Sequence, residues 1–143
     1  MAIQLIGDSS VVLKWFLTER EDELDAAEAL GRANTAQAVQ VLILDLTLYE
    51  VGNILLRKRW QASHVADQIE DLLTICGPPV VLEPEWRRDA AALSQEHKLT
   101  YYDACYAAAA RGLRVALVSA DRQLLDAGLA ESVTAFVERL RLR

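Results

Sequence analysis

Four acidic residues, far apart along the chain, are candidates for one shared metal site. They are Asp8, Glu50, Asp103 and Asp121. Ligation by carboxylate oxygens alone suits Mg²⁺ or Mn²⁺, whereas zinc and copper favour histidine or cysteine. Without a cation, each pair of these carboxylates about 4 Å apart would repel by about 1 to 4 kcal/mol. If the four meet, the chemistry they indicate is therefore metal-assisted.

Two of the four acids follow runs that are typical of buried strands. Asp8 comes directly after an apolar run, and Asp121 comes three residues after the run 115–118. Ligands of open α/β sheets collect beyond the carboxyl ends of the strands. Each acid also fits a helix start, and Asp103, three residues after Thr100, resembles part of a capping box. Taken singly, these positions leave the capping roles open.

Glu50 lies in the middle of a predicted helix, 46–60, in which apolar residues occur on nearly every side. A helix that is apolar all round is buried, and a buried carboxylate is costly unless its charge is compensated. Arg57 is two helical turns away and Lys58 points elsewhere, so the helix offers no partner at i+4. Either a basic residue from elsewhere or a metal must compensate Glu50.

The elements that would position these acids alternate along the chain. Strands are predicted at 3–7, 39–44, 115–118 and 133–136, with a brief apolar run at 80–82. Helices are predicted at 11–17, 19–28 (amphipathic, with a solvated acidic face), 46–60, 63–75, 85–97, 100–112 and 120–127, and a basic tail ends the chain. Gly112 and Gly128 are expected to stop helices. The alternation predicts one domain, residues 1–143, built as a three-layer α/β/α sandwich with a mostly parallel central sheet.

Composition narrows the class of protein. A net charge of -6 argues against a large basic surface that binds nucleic acid. Basic residues do adjoin at 57–59 and 87–88. These clusters could contact nucleic acid locally or could simply be solvated helix ends. Residues 1–17 have no basic leader, and no run approaches a membrane span, so a cytoplasmic protein without membrane contact is expected. Cys76 and Cys105 lack CxxC spacing and are predicted to be buried thiols.

Four short segments carry a family resemblance: DSSVVLKWF from Asp8, LYEVGN from Leu48, TYYDA from Thr100 and VSADR from Val118. In this order they resemble the PIN-domain ribonucleases, and more narrowly the VapC toxins of bacterial and archaeal toxin-antitoxin pairs. The similarity covers essentially the whole chain. By that resemblance, the family's acidic quartet and its supporting hydroxyl positions correspond to Asp8, Glu50, Asp103 and Asp121, with Ser9 and Ser119. The sequence departs from the pattern at Leu44, where proline is frequent, and at Leu124 and Leu125, where an aromatic is common.

The resemblance implies a PIN-like fold, a Mg²⁺- or Mn²⁺-dependent endoribonuclease, an antitoxin partner whose tail covers the acidic pocket, and a homodimer. In the mechanism expected for such a site, one Mg²⁺ activates water and a second stabilises the departing 3′-oxygen. The resemblance supplies a product with a 5′-phosphate. Asp8, Glu50 and Asp103 would be direct or water-bridged ligands, and Asp121 would complete the shell or orient the attacking water.

Other functions remain open at this stage. A receiver-like domain also groups acids at strand ends, but it uses a lysine after a late strand, and Lys14, Lys58 and Lys98 do not follow the run 115–118. A non-catalytic interaction module on the same fold is the other alternative. Trp15 and Phe16 are expected in the core, with a partner-binding surface as the second interpretation.

Overall fold

The computed structural model describes residues 1–19 and 21–142, over which a three-stranded parallel sheet lies between two layers of helices. The strands are β1 (Ile3–Gly7), β2 (Val39–Leu42) and β3 (Ala116–Val118), in the order β2-β1-β3. The helices are α1 (Ser9–Val12), α2 (Leu24–Thr35), α3 (Asp45–Arg57), α4 (Ala62–Cys76), α5 (Pro84–His97), α6 (Tyr101–Leu113), α7 (Arg122–Asp126) and α8 (Val133–Leu140). A 3-10 turn, Leu13–Trp15, follows α1 directly. Arg20, in the predicted acidic helix, and Arg143, in the predicted basic tail, lie outside the described residues.

Successive residues of the central strand point to opposite faces of the sheet and begin two separate apolar cores. Leu5 packs into a core with α1, α2, α3, α4 and α8, and Ile6 packs into a core with α5, α6 and α7. Both residues are 0% exposed. This alternation confirms the predicted three-layer α/β/α sandwich with a parallel sheet. Whether the domain extends over all of 1–143 stays a prediction.

The last predicted strand, 133–136, is wrong, because these residues begin α8. Ser132 caps the helix by accepting a hydrogen bond from the Ala135 backbone N–H at 3.1 Å. Val133, Phe136 and Val137 are buried with the spacing of one helical face. The run 133–136 is apolar enough for a strand, and the helical spacing becomes visible only when Val137 is included.

The first helical stretch is also shorter than predicted. Helix α1 continues only as the 3-10 turn, and α2 begins at Leu24 rather than near Glu19. The buried Lys14 ammonium explains the irregular segment, because it lies 3.1 Å from Asp22 Oδ1 and 3.6 Å from Glu21 Oε1. These acids therefore neutralise a buried cation instead of forming part of a solvated helix face.

Gly112 has a different role from the predicted helix stop. It lies inside α6, which ends at Leu113, and a Cβ at position 112 would overlap the Trp86 indole of α5. Gly112 therefore permits the close approach of the two helices. Gly128 does follow the end of α7 in a left-handed conformation, φ 73°. Within the described residues, no helix is long and apolar enough to cross a membrane.

Candidate active site

The carboxyl ends of β1 and β3 lie side by side and place the loops that carry two of the predicted acids. Gly7 pairs with Val118 in the sheet register, and the Asp8 backbone N–H donates to the Val118 carbonyl at 3.3 Å. Strand β1 is central, with β2 on one side and β3 on the other, so the chain reverses its direction of winding here. Such a switch point is where open α/β sheets form their ligand sites.

Asp8 is the most buried member of the predicted quartet, with 4% of its surface exposed. Its Oδ1 accepts hydrogen bonds from the Val11 backbone N–H at 3.3 Å and from the Ser10 hydroxyl, and its Oδ2 accepts one from the Ser119 hydroxyl. The first of these bonds caps α1, as the capping interpretation expected. The serine contacts go beyond capping, because they join Asp8 to the loop after β3.

Two serine hydroxyls bridge the loops after β1 and β3. Ser10 donates to Asp8 and accepts the Ala120 backbone N–H at 2.9 Å. Ser119 donates to Asp8 and accepts the Asp121 backbone N–H at 2.9 Å. Because each hydroxyl is fixed at its donor and acceptor sides, Asp8 has one orientation. Among the described hydrogen bonds, Ser10 makes the hydroxyl contacts to the site that were expected of Ser9, and both serines line a neighbouring groove.

Burial raises the pKa of Asp8 from 3.8 to about 6. The hydrogen bonds from Ser10, Ser119 and Val11 oppose this rise, and the negative charge of Glu50 adds to it. Asp8 thus lies within electrostatic reach of Glu50, although the two are on different elements. The loss of water, rather than repulsion between carboxylates, is the main cost of ionising Asp8.

Asp103 and Asp121 form a second, more exposed pair. Asp103 lies in the first turn of α6, where its backbone N–H donates to Thr100 Oγ1 at 3.1 Å, and Asp121 caps α7 by accepting the Gln123 N–H at 2.8 Å. Burial, followed by the charge of Asp121 and a hydrogen bond with it, raises the pKa of Asp103 to about 6. Asp8 adds a smaller effect in the same direction. The structure therefore brings Asp8, Asp103 and Asp121 within interaction distance.

Glu50 is placed by α3, but that helix is not buried on every side as the sequence suggested. Tyr49 and Leu56 are 67% and 54% exposed, and Glu50 itself is only partly buried. Its Oε1 accepts a hydrogen bond from the Tyr106 hydroxyl of α6 at 2.6 Å. Among the described residues, the hydrogen-bond partner of Glu50 is thus a buried hydroxyl, and no ion pair includes Glu50.

The chemistry of the donor set fits a hard divalent cation, whereas the side-chain positions do not form a complete ligand shell. None of the ion pairs formed within residues 1–19 and 21–142 includes Asp8, Glu50, Asp103 or Asp121. Four uncompensated carboxylates with raised pKa values at two of them favour the binding of positive charge. Within the same residues, however, no group of three or more His, Cys, Asp or Glu side chains is arranged to hold a metal ion.

Sequence reasoning missed three side chains at this site: Ser10, Thr47 and Tyr106. Ser10 entered the sequence analysis only within the segment DSSVVLKWF, without a role at the site. Its spacing from Asp8 is that of a local hydroxyl-to-carboxylate hydrogen bond, which is a usable signal. Tyr106 lies in an alanine-rich helix, and a buried tyrosine hydroxyl generally needs a partner. The identity of that partner depends on how α3 and α6 pack.

Comparison with known proteins identifies the class. A family model for the PIN domain matches residues 5–129, so the chain belongs to the PIN-domain family. Ribonuclease VapC3 from Pyrobaculum aerophilum is 30% identical over 131 residues, which cover 87% of this chain and 94% of that protein. The chain is therefore a homologue of the VapC ribonucleases, a family of generally metal-dependent nucleases.

Solved structures agree with this assignment. The crystal structure of PAE2754 from Pyrobaculum aerophilum is 29% identical, covers 99% of this chain and 98% of its own, and superposes with a TM-score of 0.67. A toxin-antitoxin complex from Klebsiella pneumoniae also gives a TM-score of 0.67, covering 90% of this chain and 97% of its own at 19% identity, which shows the fold alone. The predicted PIN-like fold is confirmed, and the receiver-like alternative is excluded.

Proposed function

We propose that this chain is a VapC-type toxin that cleaves RNA with Mg²⁺ or Mn²⁺ held by Asp8, Glu50, Asp103 and Asp121. The observation that carries the proposal is the meeting of carboxylates around the carboxyl ends of β1 and β3 without a cationic side chain among the described ion pairs. A divalent cation bound there would neutralise charge on the scissile phosphodiester and lower the pKa of water. The division of roles among the four acids stays a prediction.

The protein's own contribution is to hold one carboxylate in a dry and fixed position. Asp8 is oriented by two hydroxyls and one backbone N–H, and its burial disfavours the charged form until a cation arrives. Asp103 and Asp121 are fixed by the starts of α6 and α7. Preorganised groups of this kind avoid reorganisation during the reaction. His64 lies in the first turn of α4 and His97 is the last residue of α5, so both are at helix ends.

A groove beside Asp8 is the proposed path of the RNA backbone. The groove has a volume of about 370 Å³, and its lining includes Ser9, Ser10, Lys14 and Lys58. Lys14 is already paired with acids, whereas Lys58 is exposed and absent from the ion pairs of the described residues. Lys58 is therefore the cation available to a phosphate, and local positive charge of this kind is compatible with the net charge of -6.

The Lys58 proposal is tested by RNA binding at several salt concentrations. Lys58→Ala should lower the slope of log affinity against log salt by about 0.7 to 1, as expected for one lost phosphate contact. Arg111→Ala is the matched control, because Arg111 is exposed and lies about 12 Å along the α6 axis from Asp103. Equal effects of the two substitutions would contradict a specific role for Lys58.

We propose that an antitoxin segment occupies an apolar groove formed by the 3-10 turn, α2 and the end of α4. This groove has a volume of about 740 Å³, and its lining includes Trp15, Phe16, Leu24 and Ile75. Trp15 and Phe16 also pack against the core, so the proposal gives them both of the roles considered from the sequence. Ala36→Trp, at the exposed rim, should weaken antitoxin binding in a titration while leaving RNA cleavage unchanged.

We also propose a homodimer, which the resemblance implied and an exposed apolar patch supports. Tyr49, Val81, Tyr101 and Tyr102 are 67%, 77%, 43% and 60% exposed and line one groove of about 350 Å³. Contiguous exposed apolar side chains are unusual on a monomer. Val81→Glu should therefore convert a dimer into a monomer in light scattering, and an unchanged mass would contradict this interface. Cytoplasmic location stays a prediction.

The decisive test of the nuclease proposal is cleavage of total RNA by the purified chain with and without Mg²⁺, followed by mapping of fragment ends. Cleavage should require the metal and leave 5′-phosphates. Asp8→Asn should abolish it, whereas Asp89→Asn, at an exposed carboxylate of α5, should not. Cleavage that survives chelation, or that survives Asp8→Asn with a normal metal response, would refute the proposal. Metal binding without cleavage of any RNA would favour the interaction-module alternative.

A further inference from the structure

A buried series of hydroxyl groups ends on the Glu50 carboxylate. The Tyr106 hydroxyl donates to Glu50 Oε1 at 2.6 Å and lies 2.9 Å from Thr47 Oγ1. Thr47 Oγ1 also accepts the Leu44 backbone N–H at 3.1 Å. Thr47 and Tyr106 are 0% and 1% exposed, so water does not compete for these contacts. Glu50 is thereby connected to the start of its own helix through a side chain of α6.

The direction of every hydrogen bond in this series follows from the number of protons. A hydroxyl carries one proton. Because Tyr106 donates its proton to Glu50, Thr47 must donate to Tyr106. Thr47 can do so because its contact with the Leu44 N–H uses a lone pair of Oγ1 and leaves the hydroxyl proton free to donate.

Leu44 gives this series its fixed origin. The family pattern often has proline at this position, and proline has no backbone N–H to donate. In this chain Leu44 precedes α3 in an extended conformation and supplies the donor that sets the Thr47 hydroxyl. The departure from the family pattern at Leu44 therefore affects the hydrogen bonding behind the site.

We propose that Tyr106, held by Thr47, is a positioning residue that fixes the Glu50 carboxylate for metal binding, an inference that rests on the proposed function. Glu50 lies on a partly exposed helix face and has a flexible side chain, so an anchored Oε1 limits the orientations it can adopt. The Tyr106 ring reaches Glu50 from the opposite helix layer. Hydrogen-bond partners of ligating carboxylates typically account for a 10- to 100-fold change in metal affinity or activity.

The test is Mn²⁺ binding to the full chain without RNA, measured by calorimetry. Tyr106→Phe should weaken Mn²⁺ binding about 10- to 100-fold. Thr47→Val should weaken it in the same direction, and Thr47→Ser, which keeps the hydroxyl, should bind like the wild type. Thr74→Val is the matched control, because the exposed Thr74 hydroxyl donates to the Glu70 carbonyl of its own helix and to no other described residue. The RNA cleavage rate of Tyr106→Phe should rise towards that of the wild type as Mn²⁺ is added. Its KM for RNA should stay unchanged.

The unfolding free energy of each variant separates positioning from packing. Variants that lose stability but bind Mn²⁺ like the wild type would overturn the inference and leave the proposed function intact. In the Glu50→Gln background, Tyr106→Phe should cause no further loss of Mn²⁺ affinity, and an additive loss would also overturn it. If Glu50→Gln alone changed neither Mn²⁺ binding nor cleavage, the proposed function would itself be wrong.

Discussion

The substitution Asp8→Asn should stabilise the metal-free protein at neutral pH, because it removes a buried charge. The pKa of Asp8 rises from 3.8 in the unfolded chain to about 6 in the folded protein. The folded state therefore holds this proton more tightly than the unfolded state. Stability present at low pH is lost as pH rises from about 4 through 6, which is the reverse of the usual behaviour of a paired carboxylate.

The magnitude follows from the size of the shift. About two pKa units correspond to about 3 kcal/mol at pH 7.5, and less than about 1 kcal/mol of this cost remains at pH 4. Asparagine retains one acceptor oxygen, so at least one serine hydroxyl must reverse its hydrogen bond, at a cost of about 1 kcal/mol. The expected net gain at pH 7.5 is thus about 2 kcal/mol, which corresponds to roughly 4 to 8 °C in Tm.

The assay is chemical denaturation of the metal-free protein and of Asp8→Asn at pH 7.5 and pH 4. The difference between the two pH values is the decisive quantity, because a general effect of the amide on packing would appear equally at both. Asp89→Asn, at an exposed position, should change stability by less than about 0.5 kcal/mol at either pH. A loss of stability at pH 7.5, or a gain of equal size at pH 4, would show that burial of the charge is not the dominant cost.

Three further results are expected. Ser119→Ala should destabilise the protein by about 1 to 3 kcal/mol in denaturant unfolding, because it leaves the Asp121 N–H and Asp8 Oδ2 without their described partner; an unchanged midpoint would contradict the bridging role. Gly112→Ala should lower the free energy of unfolding by about 1 to 3 kcal/mol and shift Trp86 fluorescence, because the added Cβ overlaps the Trp86 indole. In Gly52→Ala the added Cβ meets no atom of a neighbouring element closer than 4.0 Å, so the free energy of unfolding should stay the same or rise by up to about 1 kcal/mol. Mn²⁺ at about 100 times its Kd should stabilise the wild type by about 2.7 kcal/mol in a thermal melt, and chelation should reverse this gain; a melt indifferent to Mn²⁺ would argue against a metal site.

Much of the fold could be predicted because the signals are local. The apolar run of β1, the glycine and prolines after α4, and the helical spacing of α5 each depend on residues that are close together in sequence. The mistaken strand at 133–136 and the displaced start of α2 show where this approach ends. In the second case the buried Lys14 attracts Glu21 and Asp22, and helix propensity alone does not reveal a buried cation.

The sequence by itself determined which side chains were available for chemistry: acids after strand-like runs, one acid within a helix, and short segments that resemble a known family. It could not assign their partners, because hydrogen bonds between elements depend on distances that only packing establishes. Tertiary structure decided that Ser10 and Ser119 hold Asp8, that Tyr106 holds Glu50, and that burial, more than repulsion from Glu50, raises the pKa of Asp8. The physical reason is that the loss of water around a side chain and the orientation of a buried hydroxyl both depend on several elements packing together. No single segment of the chain determines them.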